Sequence, residues 1–139
     1  MNLDNIRQKP KFIDVLPGLG RGTCHALYPN IYLSRSVYMN LTSEHPSPYT
    51  EAVVLHEQEH LNRMKQYGVM KWYLKYLTSR SFRLDEELAA TEVQLVYIKA
   101  AGGTLDLERR ARQLSGPLYL WAAKYDTVLG RLMDMWDKT

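Results

Sequence analysis

Residues 50–68, TEAVVLHEQEHLNRMKQYG, carry the start and stop signals of a helix. Thr50 can cap its first turn, and Glu51 follows where the positive end of the helix dipole favours an acid. Gly68 supplies the residue that ends helices at their C-terminus. The spacing therefore predicts a helix from about Glu51 to Tyr67. Val53, Val54 and Leu55 form an apolar run just ahead of His56, so this helix is expected to be buried. Two histidines on a buried helix need a reason.

Positions i and i+4 of a helix lie one above the other, so His56 and His60 can turn two imidazole nitrogens toward one metal ion. Catalytic zinc takes three protein ligands and keeps its fourth position for water. Glu57, rotated about 100° from His56 on a helix of 3.6 residues per turn, would lie beside that water as a general base. His56-Glu57-Gln58-Glu59-His60 thus has the residue types and spacing that metal-assisted hydrolysis needs. A di-iron reading of Glu57-Gln58-Glu59-His60 would need a second Glu-x-x-His on another helix, and the sequence has none.

The third ligand has to come from outside this helix. His25 and His45 are the remaining histidines, and neither lies downstream of the motif. A later helical stretch, about Arg83 to Ala100, reads RLDEELAATEVQLVYIKA and ends at Gly102-Gly103. Glu87 shares a helix face with Leu84, Leu88, Thr91, Leu95 and Ile98, the most apolar face of that stretch. Glu86 lines up with Ala90, Val93 and Tyr97, a weaker form of the same pattern. Glu87 is the preferred third ligand and Glu86 the alternative.

Working outward, residues 1–20 are expected to be an irregular arm, punctuated by Pro17, Gly18 and Gly20. Between Cys24 and Met39, Tyr28, Ile31, Tyr32, Leu33, Val37 and Tyr38 are strand formers around a Pro29-Asn30 turn, which predicts a short hairpin or two strands. Within it IYLSRSVYM could be an edge strand open to an extended peptide, or an ordinary core strand. VMKWYLKYL forms another helical run ending at TSRS. Residues 105–139 are helical by period, with an interruption near Gly116-Pro117 and further candidate breaks near Asp126 and Gly130. Trp72, Tyr73 and Tyr76, like Tyr119, Leu120, Trp121 and Tyr125, are expected in the core, with a protein-partner surface as the minor alternative. Arg109, Arg110 and Arg112 read as a solvated helix face, and Cys24-His25 as structure rather than a metal pair.

Composition sets the frame. A chain of 139 residues holds one domain, 1–139, and 45% hydrophobic with 24% charged residues is ordinary for a globular protein. The charge balance, 18 − 15 = +3, is too mild for a nucleic-acid stripe. A single cysteine excludes an intramolecular disulfide. The first residues lack the apolar core of a secretory signal, and no run can span a bilayer. A cytoplasmic protein with no membrane partner is the expectation. The fold class expected is α+β and mainly helical.

His56-Glu57-Gln58-Glu59-His60, followed by Gly68 and then RLDEELAATEVQLVY, resembles the gluzincin metallopeptidases, in particular small bacterial and phage-type members. The match covers about half the chain, roughly Ile31 to Tyr97. The resemblance implies a short sheet whose edge strand precedes the active-site helix, then a glutamate helix. It implies zinc held by His56, His60 and one of Glu86 and Glu87, with Glu57 as the base for peptide-bond hydrolysis. Larger members add a His or Tyr that steadies the oxyanion, and an acid that orients a ligand histidine. Tyr97, Tyr67 and His25 are the candidate donors here. A binding or assembly protein that keeps a structural zinc site is the alternative function.

Overall fold

The structure is a computed structural model that describes residues 3–15 and 23–139. Among the described residues there are six α-helices, a three-stranded sheet and two short 3-10 helices, Lys11–Val15 and Pro117–Tyr119, a mainly helical α+β fold. The strands are β1 (Ile6–Gln8), β2 (His25–Leu27) and β3 (Asn30–Leu33), and the helices are α1 (Arg35–Leu41), α2 (Pro48–Tyr67), α3 (Val69–Thr78), α4 (Arg80–Ala100), α5 (Leu107–Leu114) and α6 (Tyr125–Lys138). No helix among the described residues is long and apolar enough to cross a membrane.

The sheet order is β1-β3-β2, with β1 parallel and β2 antiparallel to the central strand. Ile31 and Leu33 are fully buried while Asn30 and Tyr32 are half-buried, the period-2 signature of a strand with one face on the core. The expected hairpin forms, but its turn lies at Tyr28-Pro29, one residue before the Pro29-Asn30 pair, and Asn30 already opens β3. The arm is not wholly irregular, because Ile6–Gln8 finds backbone partners along β3 that no local pattern announces. Residues 1–2 and 16–20 of that arm, with its Pro17, Gly18 and Gly20, lie outside the described part. The stretch IYLSRSVYM splits: Ile31–Leu33 complete the central strand, and Arg35–Leu41 form α1 after Ser34. The open edges are therefore β1 and β2, not this segment. Strand propensity at Val37 and Tyr38 gives way because both pack as one side of a helix against the sheet and α2.

α2 starts earlier than Thr50. Ser47 is the N-cap, its hydroxyl accepting from the Thr50 amide, and Pro48 stands at the first turn, where a missing N–H costs nothing. At the other end Gly68 has φ 95°, caps α2 and opens α3. The gap between α3 and α4 is a single residue, Ser79, whose hydroxyl accepts from the Phe82 amide. α5 and α6 are separated by residues 115–124, so the interruption at Gly116-Pro117 is real. Gly130 lies inside α6 without a break, and Asp126 sits in its first turn.

Two apolar clusters result. One joins β1, β3, α1, α2 and Trp72 of α3; the other joins α4, α5 and α6. α2 and α4 pack side by side between them, and the polar residues of both helices meet along that seam.

Because Gly68 holds a backbone conformation that a Cβ disfavours, Gly68→Ala should cost on the order of 1–2 kcal/mol of unfolding free energy. Urea denaturation with an unchanged midpoint would contradict this account of the α2–α3 corner.

Candidate metal centre

His56 and His60 lie on successive turns of α2, 6% and 5% exposed, and Glu87 faces them from α4 at 2%. Their ligand atoms all fall within 4.8 Å of one another. The Glu87 carboxylate spans the pair: Oε2 is 3.6 Å from His56 Nε2 and Oε1 is 3.4 Å from His60 Nε2. Two donors each about 2.0–2.1 Å from one tetrahedral zinc ion stand roughly 3.3–3.4 Å apart; the two carboxylate–imidazole contacts come close to that, while the set as a whole spans up to 4.8 Å. Two imidazoles and one carboxylate are also the donor set that catalytic zinc uses. The Nδ1 atoms of both histidines are buried without a hydrogen-bond partner among the described residues. The Nε2 atoms are the ones aimed at Glu87.

The apolar face of α4 turns inward as expected, with Leu84, Leu88, Thr91, Leu95 and Ile98 all buried beside Glu87. Glu86, one residue earlier and 100° around the helix, is also buried but differently occupied. Arg63 forks onto both of its oxygens at 2.8 Å, and the Trp72 indole N–H donates to Oε2 at 2.8 Å. Its acceptor sites are taken up in tying α4 to α2 and α3. The structure brings Glu87, not Glu86, to the histidines.

Two further side chains, Tyr76 and Arg110, hold Glu87 directly. The Tyr76 hydroxyl of α3 donates to Oε1. Arg110 of α5 donates to Oε2 at 3.2 Å and to Thr91 Oγ1 at 3.1 Å, and stands 3.5 Å from His56 Nε2. The Tyr119 hydroxyl receives its other terminal nitrogen at 3.1 Å. Arg83 in turn donates to the Tyr76 and Tyr119 carbonyls, which fixes both tyrosine backbones. Arg110 thus departs from the expected solvated face: its side chain is 12% exposed, against 59% for Arg112. Tyr76 and Tyr119 depart from a purely apolar role. Helical spacing alone places Arg110 between exposed Arg109 and buried Ala111, and it carries no mark of a buried carboxylate twenty-three residues upstream.

Glu57 is 8% exposed and turned toward the Ala26 backbone of β2. Burial pushes its carboxyl up to about 7, with Glu87 adding in the same sense and His60 opposing. Burial also lowers His56 to about 4, against the pull of Glu87, so its ring is neutral near pH 7. For His60, burial lowers and the Glu87 carboxylate raises; the carboxylate prevails and the net shift is upward. Glu87 itself is held well below the usual carboxylate range, its own burial outweighed by His60 and by the two imidazoles 3.4 Å and 3.6 Å from its oxygens.

Of the candidate oxyanion donors, His25 is the one near the centre. It is half-buried on β2, feels the Glu87 charge, and pairs through Nε2 with Thr23 Oγ1 at 2.9 Å. Burial and then the Lys9 charge lower it to about 4. Tyr97 instead donates to Glu51, and Tyr67 is exposed with its ring against Phe82. Cys24 and His25 do not join the ligand cluster. The surface cavity of about 420 Å³ near Asp85, Glu92 and Arg131 includes none of these residues.

No family model matches the chain, and no curated protein or solved structure matches it either.

Two outcomes follow from this geometry. Glu86→Ala strands the Trp72 N–H and frees Arg63, so unfolding free energy should fall by about 2–3 kcal/mol while the chain still binds metal. Loss of metal binding in that variant, with the fold intact, would move the third ligand to Glu86. Glu57 has a folded-state value above that of an unfolded glutamate, so the folded state binds the extra proton. Stability of the metal-free protein should then decline as pH rises from about 4.5 to about 7. Thermal melts of metal-free wild type and Glu57→Gln should diverge across that window by on the order of 3 kcal/mol. Parallel curves would mean the carboxylate ionises at no cost.

Proposed function

We propose that this protein is a zinc-dependent peptidase in which His56, His60 and Glu87 hold the ion and Glu57 is the general base. One observation carries the proposal: two imidazoles and a carboxylate converge with their ligand atoms within 4.8 Å of one another, beside a second buried carboxyl raised to about 7. A zinc ion, when bound, supplies a water acidic enough to attack a carbonyl near neutral pH.

The chain's own residues divide the remaining work. Glu57 accepts the proton of the attacking water and returns it to the leaving amine, a transfer that suits a group titrating near neutrality. Zinc's positive charge would also draw Glu57 toward its ionised form, the form a base needs. Tyr76 and Arg110 each hold one Glu87 oxygen, which fixes the carboxylate against the histidines. His25 offers a neutral ring on the β2 side for a developing negative charge.

A second reading is favoured by a different observation. His56, Glu57, His60 and Glu87 are all below 9% exposed, and neither histidine has the partner on Nδ1 that usually orients a zinc ligand. Both features suit a binding or assembly protein whose zinc is structural.

Elemental analysis and peptide-library turnover separate the two. Wild type should carry about one zinc per chain, and His56→Ala and Glu87→Ala should each lower that content. Glu57→Gln should keep the zinc and lose at least about 100-fold in turnover. Equal, near-zero rates for wild type and Glu57→Gln with zinc retained would replace the peptidase by the structural reading.

A further inference from the structure

α3 has an inner and an outer face with different chemistry. Inward, Trp72 is buried beside His60 and hydrogen-bonds Glu86, while Tyr76 reaches Glu87. Outward, Met70, Leu74 and Leu77 recur at i, i+4 and i+7 and are 81%, 64% and 65% exposed. Three large apolar side chains in one row, this open, are not scattered surface residues. On one flank the hairpin tip adds Leu27 and Tyr28, also exposed, tied to α3 by the Tyr28 amide donating to the Tyr73 hydroxyl at 3.1 Å. On the other flank stand Lys71 and Lys75, whose ammonium groups lie over the Tyr67 ring.

Charge along the segment that carries this ridge has one sign. Residues 60–84 contain Arg63, Lys65, Lys71, Lys75, Arg80 and Arg83 and no Asp or Glu. Arg63 is spent on Glu86 and Arg83 on backbone carbonyls, but Lys65, Lys71, Lys75 and Arg80 are exposed. A second copy docked antiparallel through the ridge would set Lys71 and Lys75 against their own counterparts, with no acid in the segment to pair them. An apolar row at the height of the acyl chains with lysines reaching back to anionic headgroups is instead the arrangement of a helix lying in a bilayer interface.

We infer that the outer face of α3, with the tip of the β2–β3 hairpin, docks the protein on an anionic lipid surface. This does not conflict with the lack of a spanning segment, because an interfacial helix needs an apolar face and basic flanks rather than a long apolar run. It also stands apart from the peptidase proposal, since the ridge points away from Glu87 and needs no turnover. The same helix carries Tyr76 on its inner side, so docking would set the candidate metal centre one helix thickness from the membrane.

Vesicle co-sedimentation of the zinc-loaded full chain tests this. Phosphatidylcholine vesicles containing phosphatidylglycerol should bind several-fold more protein than phosphatidylcholine alone. The excess should fall between ~0.1 M and ~1 M salt as the Debye length contracts from about 10 Å to about 3 Å. Met70→Ser/Leu74→Ser/Leu77→Ser should weaken binding by roughly tenfold or more, and Lys71→Glu/Lys75→Glu should remove the preference for anionic vesicles. Both variants change exposed positions, and unaltered circular dichroism and zinc content would show the fold intact. Failure of folded wild type to bind anionic vesicles, or equal binding by the ridge variant, overturns the inference. So does a wild-type dimer in sedimentation that the ridge variant renders monomeric, which would assign the ridge to a second copy.

Discussion

A carboxylate taken out of water among packed helices is costly unless positive charge and donors surround it, by several kcal/mol for an unpaired ion. Glu87, 2% exposed, is that carboxylate here. His56 and His60 approach it from α2, Tyr76 from α3 and Arg110 from α5, so three helices are tied to one side chain of α4. The two apolar clusters lie on either side of this point and share no buried residue. Between them Glu87 is a polar tie that holds α5, through Arg110, against the histidines of α2.

Adjacent glutamates do unlike work because a helix turns 100° per residue. Glu86 points between α2 and α3, where Arg63 and Trp72 occupy it. Glu87 points between α2 and α5, where the histidines stand. The first carboxylate fixes the distance between α2 and α4, and the second uses that distance to meet two imidazoles at ligand spacing. Trp72 links the two roles: its indole N–H serves Glu86 while its ring stacks on Tyr76, the residue that holds Glu87.

Much of α2 and α4 was legible in the residues. Gly68 marks the end of α2, Gly102-Gly103 follows the end of α4, and the Leu84-Leu88-Thr91-Leu95-Ile98 stripe points Glu87 inward. Each rests on an interaction within a few residues along the chain. Expectations failed where a distant partner decides. Thr50 has a capping side chain, but Pro48 admits one more turn and hands the cap to Ser47. Val37 and Tyr38 favour a strand, yet a helix buries them better against α2. β1 exists only because β3 offers it hydrogen-bonding groups.

Arg110 shows the same division at the candidate site. Local spacing puts it in a basic cluster with Arg109 and Arg112, and only one of the three meets a buried acid. From the sequence alone came the helical class, the face shared by His56 and His60, and the inward direction of Glu87, since periodicity and caps are short-range. Tertiary structure decided which glutamate faces the histidines, which tyrosines and which arginine hold it, and which side of α3 is left bare. Those outcomes depend on how helices far apart in sequence come to lie side by side, and the cost of a buried charge acts only once they do.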